Sequence, residues 1–401
     1  MHKGFGQNDK SVTCPILELP AREAPCHRSI RTKGTTMRNM LLFAAATALT
    51  AGVASADVFI PEGDADSILH LADDGAVVAR IDGVENVHGL ALAPDMKFLI
   101  AGSLSTAPKG TGLPVLESSH SIGMGSMSDS GENAEITMDG DEKMTDAEHD
   151  AHHGPSNSIT GSNDTSIVTI RDADTYAPVR KVSVAGIVHH VAVDPSETYA
   201  LVTHPTLGGI SIIDIAEGVA AGPIATGPNP EYAVADPRTG RFFVSNAGNA
   251  TISEVDPAKG FVARNLPLET GPKHLQLLTD ERLLVAAEAD AGFVSLIDAD
   301  SGEIVERYEI GGNLHGVQAD SSAIYASALG RGRVVRIDRA TGARTAVQMD
   351  GPYHMALTGD GLMVSSSEDA NVRLLDPNTL ETISTTQTNG IAHQIVVEPS
   401  I

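Results

Sequence analysis

A short pattern recurs along this chain: a small or polar turn, a histidine, then a run of mostly apolar residues. It appears as "NVHGLALAP" (His88), "IVHHVAVDP" (His189), "PKHLQLLTD" (His274), "NLHGVQADS" (His315), "PYHMALTGD" (His354) and "IAHQIVVEP" (His393). A seventh copy, "NPEYAVADP", carries Glu231 in the histidine slot. From His189 onward the slots fall 42, 43, 41, 39 and 39 residues apart. A period of about 40 residues with several short strands per unit is the mark of a β-propeller.

A second pattern keeps step with the first. Alternating strands end in Asp- and Gly-rich turns in "SIIDIAEG", "SEVDPAKG", "SLIDADSG" and "VRIDRATG", and again in "RLLDPNTL". Each reads as strand, tight turn, strand. The unit 274–313 therefore predicts four strands: "HLQLL" innermost, then "RLLVAAEA", "GFVSLIDA" and the outer "EIVERYEIG". The two ends of the chain complement each other. "DVFIPEG", "SILHLADDG" and "AVVARIDG" match strands two to four of a blade, and "HQIVVEPS" matches strand one alone. The expectation is an all-β, seven-bladed propeller spanning 57–401. Its last blade closes with three N-terminal strands and one C-terminal strand, which leaves no free edge.

The first spacing breaks the period, with 101 residues between His88 and His189. The excess lies at 104–163, between the second and third strands of the first blade. It is rich in Gly, Ser, Met and acidic residues and reads as a flexible loop. Its motif "EHDAHHG" supplies His149, Asp150, His152 and His153.

Residues 37–56, "MRNMLLFAAATALTAGVASA", read as a secretory signal peptide cleaved after Ala56. Residues 1–36 then form an extension upstream of the true start. Export through this signal predicts a periplasmic protein. Its apolar run is too short for a membrane anchor, so no membrane insertion is expected. Both cysteines, Cys14 and Cys26, precede Ala56. The remainder offers neither disulfides nor thiolate ligands. The net charge is −25, from 27 basic and 52 acidic residues, which argues against nucleic acid and anionic lipid and suits a partner that is a cation.

In a propeller, inner strands begin on the face where second strands end. The slot residues His88, His189, Glu231, His274, His315, His354 and His393 should therefore ring one channel mouth. The loop and His204, at a second-strand end, should join them on that face. Neutral imidazole is the commonest transition-metal ligand, and a Cys-free His/carboxylate set suits Zn(II). A ring of seven cannot all reach one ion, so two or three neighbouring ring residues plus loop ligands are expected, with His88, His189 and their neighbours favoured because the loop is rooted in the blade of His88. His190 is expected to point away from the face of His189, and His70 and His120 to lie on the surface. The competing explanation is that a histidine repeated in every blade is architectural. It predicts structural partners repeated in step with the histidines.

The signal peptide, the inner-strand histidines and the His/Asp-rich loop with Met124, Met127, Met138 and Met144 together resemble the AztD family. These are periplasmic zinc metallochaperones that partner a bacterial zinc ABC transporter, and the resemblance spans 57–401. It implies a monomeric, non-enzymatic protein that binds Zn(II) and passes it by ligand exchange to the transporter's solute-binding protein. It transfers no ligand set residue by residue. Two other readings stand beside it. One is a metal-dependent hydrolase or lactonase with Glu231 as general base, although no G-x-S-x-G or dinucleotide motif is present. The other is a metal-free, protein-binding propeller.

Overall fold

The computed structural model describes residues 57–106 and 165–398. The 1–36 extension, the 37–56 signal segment, His120 and the loop residues His149, Asp150, His152 and His153 lie outside the described residues.

Seven four-stranded antiparallel sheets form a closed ring. Taken from the inside outward, the first blade runs Val87–Leu92, Phe98–Ser103, Thr165–Asp172 and Pro178–Ala185. The fourth runs Pro272–Leu278, Leu283–Glu288, Phe293–Asp298 and Ile304–Glu309, as the alternation and turns predict. The seventh joins Val396–Val397 to Val58–Glu62, Ser67–Leu71 and Val77–Asp82. The C-terminal strand is thus the inner strand of the N-terminal sheet. Phe59 pairs with Val396 and Val58 with Val397.

Seven apolar clusters sit between successive blades and hold the ring together. Val168, Val184, Val202 and Ile213 form one between the first and second blades. Phe59, Ile68, Leu90 and Leu99 form the one that seals the last blade to the first. Because blades stack on both faces, the strands nearest the axis are buried on both sides, and Leu283–Glu288, a second strand, is buried from its second residue to its last. Burial fades outward. Val77, Val78, Val179, Val305 and Ile383, all on outermost strands, are exposed.

The Asp/Gly turns connect the third and fourth strands. The N–H of Gly218, Gly260, Gly302 and Gly342 reaches back to the carbonyls of Asp214, Asp256, Asp298 and Asp338 at 2.7–2.9 Å. These glycines sit at φ of +66° to +80°, which a side chain resists. The fifth copy, "DPNTL", puts Leu380 at φ +61°. Its side chain is fully buried beside Met355 and Leu375, so packing offsets the backbone strain.

The first blade also shows where the inserted loop is rooted. The Ser166 hydroxyl donates to the Ser103 and Ser105 carbonyls at 2.7 and 2.9 Å. Ser103 pairs with Val87, next to His88. The two roots of the insertion therefore stand beside one histidine of the ring.

Candidate metal centre

Strand register separates the repeated histidines into two adjacent positions. Leu90, Val191, Ala233, Leu275, Val317 and Met355 are equivalent, each facing the same site on its second strand. One residue earlier come Gly89, His190, Tyr232, His274, Gly316 and His354. Two residues earlier come His88, His189, Glu231, Lys273, His315 and Tyr353. In the last blade these positions are Gln394 and His393. The single slot of the sequence pattern thus merges two positions: His274 and His354 belong to the nearer one, and the rest to the farther one.

In four blades the ladder slips at these positions. Register shifts fall between Val87 and Gly89, Pro230 and Ala233, Pro272 and Leu275, and Pro352 and Met355. A bulge breaks strict alternation, so consecutive side chains need not point to opposite faces. In the second blade His190 stands just before the strand Val191–Val193, where alternation does not apply. It does not turn away from the ring as alternation predicts. It is buried, its ring centroid is 3.6 Å from that of Tyr232, and its charge state is coupled to His274 and His189.

The ring is also more enclosed than a channel mouth. His88, His189, His190, His274, His315, His354 and His393 are only 2–6% exposed, and Glu231 is 3% exposed. Burial holds His354 well below the usual imidazole range. Its neighbours His274, His393, His190 and His189 lower it further. His190 is depressed by the same causes, burial first and then His274 and His189. These rings are neutral at pH 7, the state a metal requires.

Two arrangements occur within this cluster. In the first, His274, His315 and His354 face one another. Their ligand nitrogens all lie within 4.8 Å of each other, and His315 Nε2 is 3.4 Å from His354 Nε2. Two Zn–N bonds of ~2.0–2.1 Å at a tetrahedral angle place their nitrogens about 3.3 Å apart. The His315–His354 pair already stands at that spacing, and His274 would have to close in by no more than about 1.5 Å. Gly316 makes it possible. With no side chain at that position in the fifth blade, the His274 and His354 rings meet across it, with centroids 4.5 Å apart. A Cβ on Gly316 would stand 2.5 Å from the Tyr353 carbonyl and 3.4 Å from the His354 Cα. Tyr353 stacks on His315 at 3.7 Å and closes one side. Burial raises its hydroxyl pKa, and the charge of Glu231 adds to the rise.

In the second arrangement, imidazoles clip one blade to the next. His88 Nδ1 lies 2.7 Å from the His189 carbonyl, and His189 Nδ1 lies 3.0 Å from the Glu231 carbonyl. Each Nδ1–H therefore donates to a backbone carbonyl of the next blade. A histidine that donates Nδ1–H to a backbone carbonyl is also the usual orientation of a metal ligand. His88 stacks loosely on His189 and His393, with centroids 4.5 and 4.4 Å away, and His189 Nε2 is 3.5 Å from Glu231 Oε2.

Elsewhere a hydroxyl makes the same clip. Thr203, Ser245, Ser327 and Ser365 donate to the carbonyls of Glu231, Lys273, Tyr353 and His393 in the next blade. Each also accepts the backbone N–H of His190, Tyr232, Gly316 or His354 in its own blade. The first blade has Gly102 at the hydroxyl position, and His88 takes over the contact to the His189 carbonyl. Partners repeated in step with the ring are thus present, as an architectural role predicts. They do not account for the facing triad.

His204 does not join the cluster. Its Nδ1 lies 2.7 Å from the Ile187 carbonyl and its Nε2 2.8 Å from Ser211 Oγ, so neither nitrogen is left for a metal. The equivalent residues Glu62, Asn246 and Glu288 bond to Ser67, Ser253 and Ser295 in the same way. The second-strand end is a polar lock internal to the blade. Burial lowers the His204 pKa to about 4, against a smaller upward pull from the Ile187 carbonyl. His70 is likewise not a surface residue. It is buried, stacks on Phe59, and lies 2.7 Å from the Tyr176 hydroxyl.

The sequence pattern missed His190, Tyr232, Lys273, Tyr353 and Gln394 as ring members. Aligning the copies on the apolar residue that starts each strand would have found them, because the farther position then recurs at 189, 231, 273 and 315.

The fold and its buried histidines define a seven-bladed β-propeller with a candidate metal centre at its axis. No protein-family model matches the sequence, and no curated protein sequence matches it. Solved structures do resemble it. A dihydro-heme d1 dehydrogenase, NirN, in complex with DHE is 16% identical with a TM-score of 0.54, covering 82% of this chain and 63% of that one. This chain thus spans less than two thirds of NirN. The hydrazine synthase of Kuenenia stuttgartiensis is 18% identical with a TM-score of 0.56, covering 78% of this chain and 90% of that one. At such identities the likeness establishes the propeller fold alone.

Proposed function

We propose that this protein is a zinc carrier of the periplasm, exported by the 37–56 signal. It takes up Zn(II) among its axial histidines and hands it by ligand exchange to the solute-binding protein of a zinc ABC transporter. The observation that carries this reading is the facing triad of His274, His315 and His354, buried, with ligand nitrogens within 4.8 Å of one another and the His315–His354 pair at 3.4 Å. The described residues contain no cysteine, so no thiolate competes with imidazole for the ion. The acidic surface favours approach of a cation. The roots of the 104–163 segment beside His88 support a route by which His149, Asp150, His152 and His153 pass ions to the ring. In this reading zinc is cargo, and the protein catalyses no reaction.

The test is zinc titration of the purified chain against a competing chelator. One tightly held zinc per chain is expected. Its affinity should fall at least a hundredfold in His315→Ala or His354→Ala, more than the ~10–100-fold typical of losing a group that only supports a ligand. Retention of tight zinc by both variants would remove the triad from the site. Hydrolysis of a lactone or ester by the zinc-loaded protein would replace the carrier by an enzyme.

A further inference from the structure

The zinc reading leaves one buried donor unexplained. The Ala233 backbone N–H points at His190 Nδ1 from 3.3 Å, so that nitrogen must present its lone pair. A neutral His190 then carries its proton on Nε2. That nitrogen is buried and has no hydrogen-bond partner among the described residues. A buried donor without an acceptor costs ~1–3 kcal/mol. His190 cannot relieve this by ligating a metal through Nε2, because its Nδ1 would then need the proton and would face the Ala233 N–H donor to donor. The Tyr353 hydroxyl is in the same condition: buried, without a hydrogen-bond partner among the described residues, and stacked on His315 of the triad. His190 packs on Tyr232 with centroids 3.6 Å apart, Tyr232 stacks on His274 at 4.4 Å, and Tyr353 meets His354 edge-on at 4.6 Å. Two buried donors thus lie among the rings packed against the triad, and what they lack is an acceptor.

We propose that an ion held by His274, His315 and His354 keeps a fourth, exchangeable oxygen ligand, and that His190 Nε2–H is the group that holds it, with the Tyr353 hydroxyl as a second donor. The inference rests on the triad reading above. The ligand is water, hydroxide or a carboxylate, since all three present an oxygen lone pair to the donors. His190 is then a positioning residue and not a ligand. The fourth position is also the one through which a receiving protein's side chain would enter, because it can be vacated without breaking a bond to the triad.

The experiment loads the full chain with Co(II), whose visible absorption reports coordination, and titrates acetate. In the wild type, acetate should change the band. In His190→Phe, which keeps the ring volume and loses the donor, one cobalt per chain should remain and acetate binding should weaken roughly tenfold to a hundredfold, as for a hydrogen bond to a charged group. His190→Gln, with an amide N–H of similar reach, should recover part of that loss and serves where the Phe variant does not fold. Tyr353→Phe should cost about threefold to tenfold. A band that already differs between wild type and His190→Phe before acetate identifies water or hydroxide as the resting ligand. Identical acetate-free bands identify a carboxylate as the ligand taken. Unchanged acetate affinity in both variants, or a wild-type band indifferent to acetate, overturns the proposal. Loss of cobalt in His190→Gln overturns it by making His190 a ligand. A wild-type chain that takes up no cobalt fails the triad reading itself, which is a separate result.

Discussion

His315 and His88 occupy the same register position in blades five and one, yet their surroundings give them different work. His88 spends its Nδ1 on the His189 carbonyl, where the first blade has Gly102 and no hydroxyl to bridge the blades. In the fifth blade Ser327 makes that bridge to the Tyr353 carbonyl. The His315 ring faces His274 and His354. What differs between these two blades is a neighbour fourteen residues away in sequence for one and twelve for the other, not the histidine itself.

The largest expected effect that could break this comparison is on metal binding by Gly316→Ala. Its Cβ would press on the Tyr353 carbonyl at 2.5 Å, a backbone atom that cannot simply rotate away. Zinc affinity should drop at least tenfold with all ligands intact, as when the support of a metal site is lost, measured by chelator competition. An unchanged affinity would mean that the triad does not depend on the glycine gap.

A second test concerns pH. The His204 pKa is about 4 in the folded protein, against about 6.5 in an unfolded chain. Between these values the unfolded state binds the extra proton, so stability falls as pH drops from about 6.5 to 4 and levels off below. The full window is worth about 3 kcal/mol for His204 alone. Urea unfolding of the metal-free protein at several pH values, with His204→Gln subtracted, reads this contribution. A difference that stays flat across the window would contradict a buried, neutral His204.

The smallest effect sharpens the architectural side. Thr203→Val keeps the side-chain shape and removes the hydroxyl shared by the His190 N–H and the Glu231 carbonyl. A loss of about 1–3 kcal/mol is expected from leaving buried backbone groups without that partner, read by the same unfolding measurement. The second blade retains His189 Nδ1 on the Glu231 carbonyl, which should keep the loss near the lower end.

Much of the fold was legible because it is written locally and repeated. The Asp/Gly turns needed only four or five residues each, and "HQIVVEPS" could be matched to an inner strand by its apolar run. Part of the site was legible too: the slot named His274, His315 and His354 among its members. His204 was misplaced because its role depends on Ser211 across the hairpin and on Ile187. His190 was misplaced because alternation holds only along a strand, and His190 stands just before its strand begins.

By itself, then, the sequence determined the blade count, the closure of the ring by its two ends and the presence of histidines on inner strands. These follow from hydrophobic period and turn chemistry, which act over a few residues. Only the tertiary structure decided which histidines face one another. That choice depends on strand register at the bulges, on the missing side chain at Gly316 and on carbonyls supplied by the next blade. Such contacts link residues about 40 positions apart, and no local pattern encodes the direction in which a ring will point.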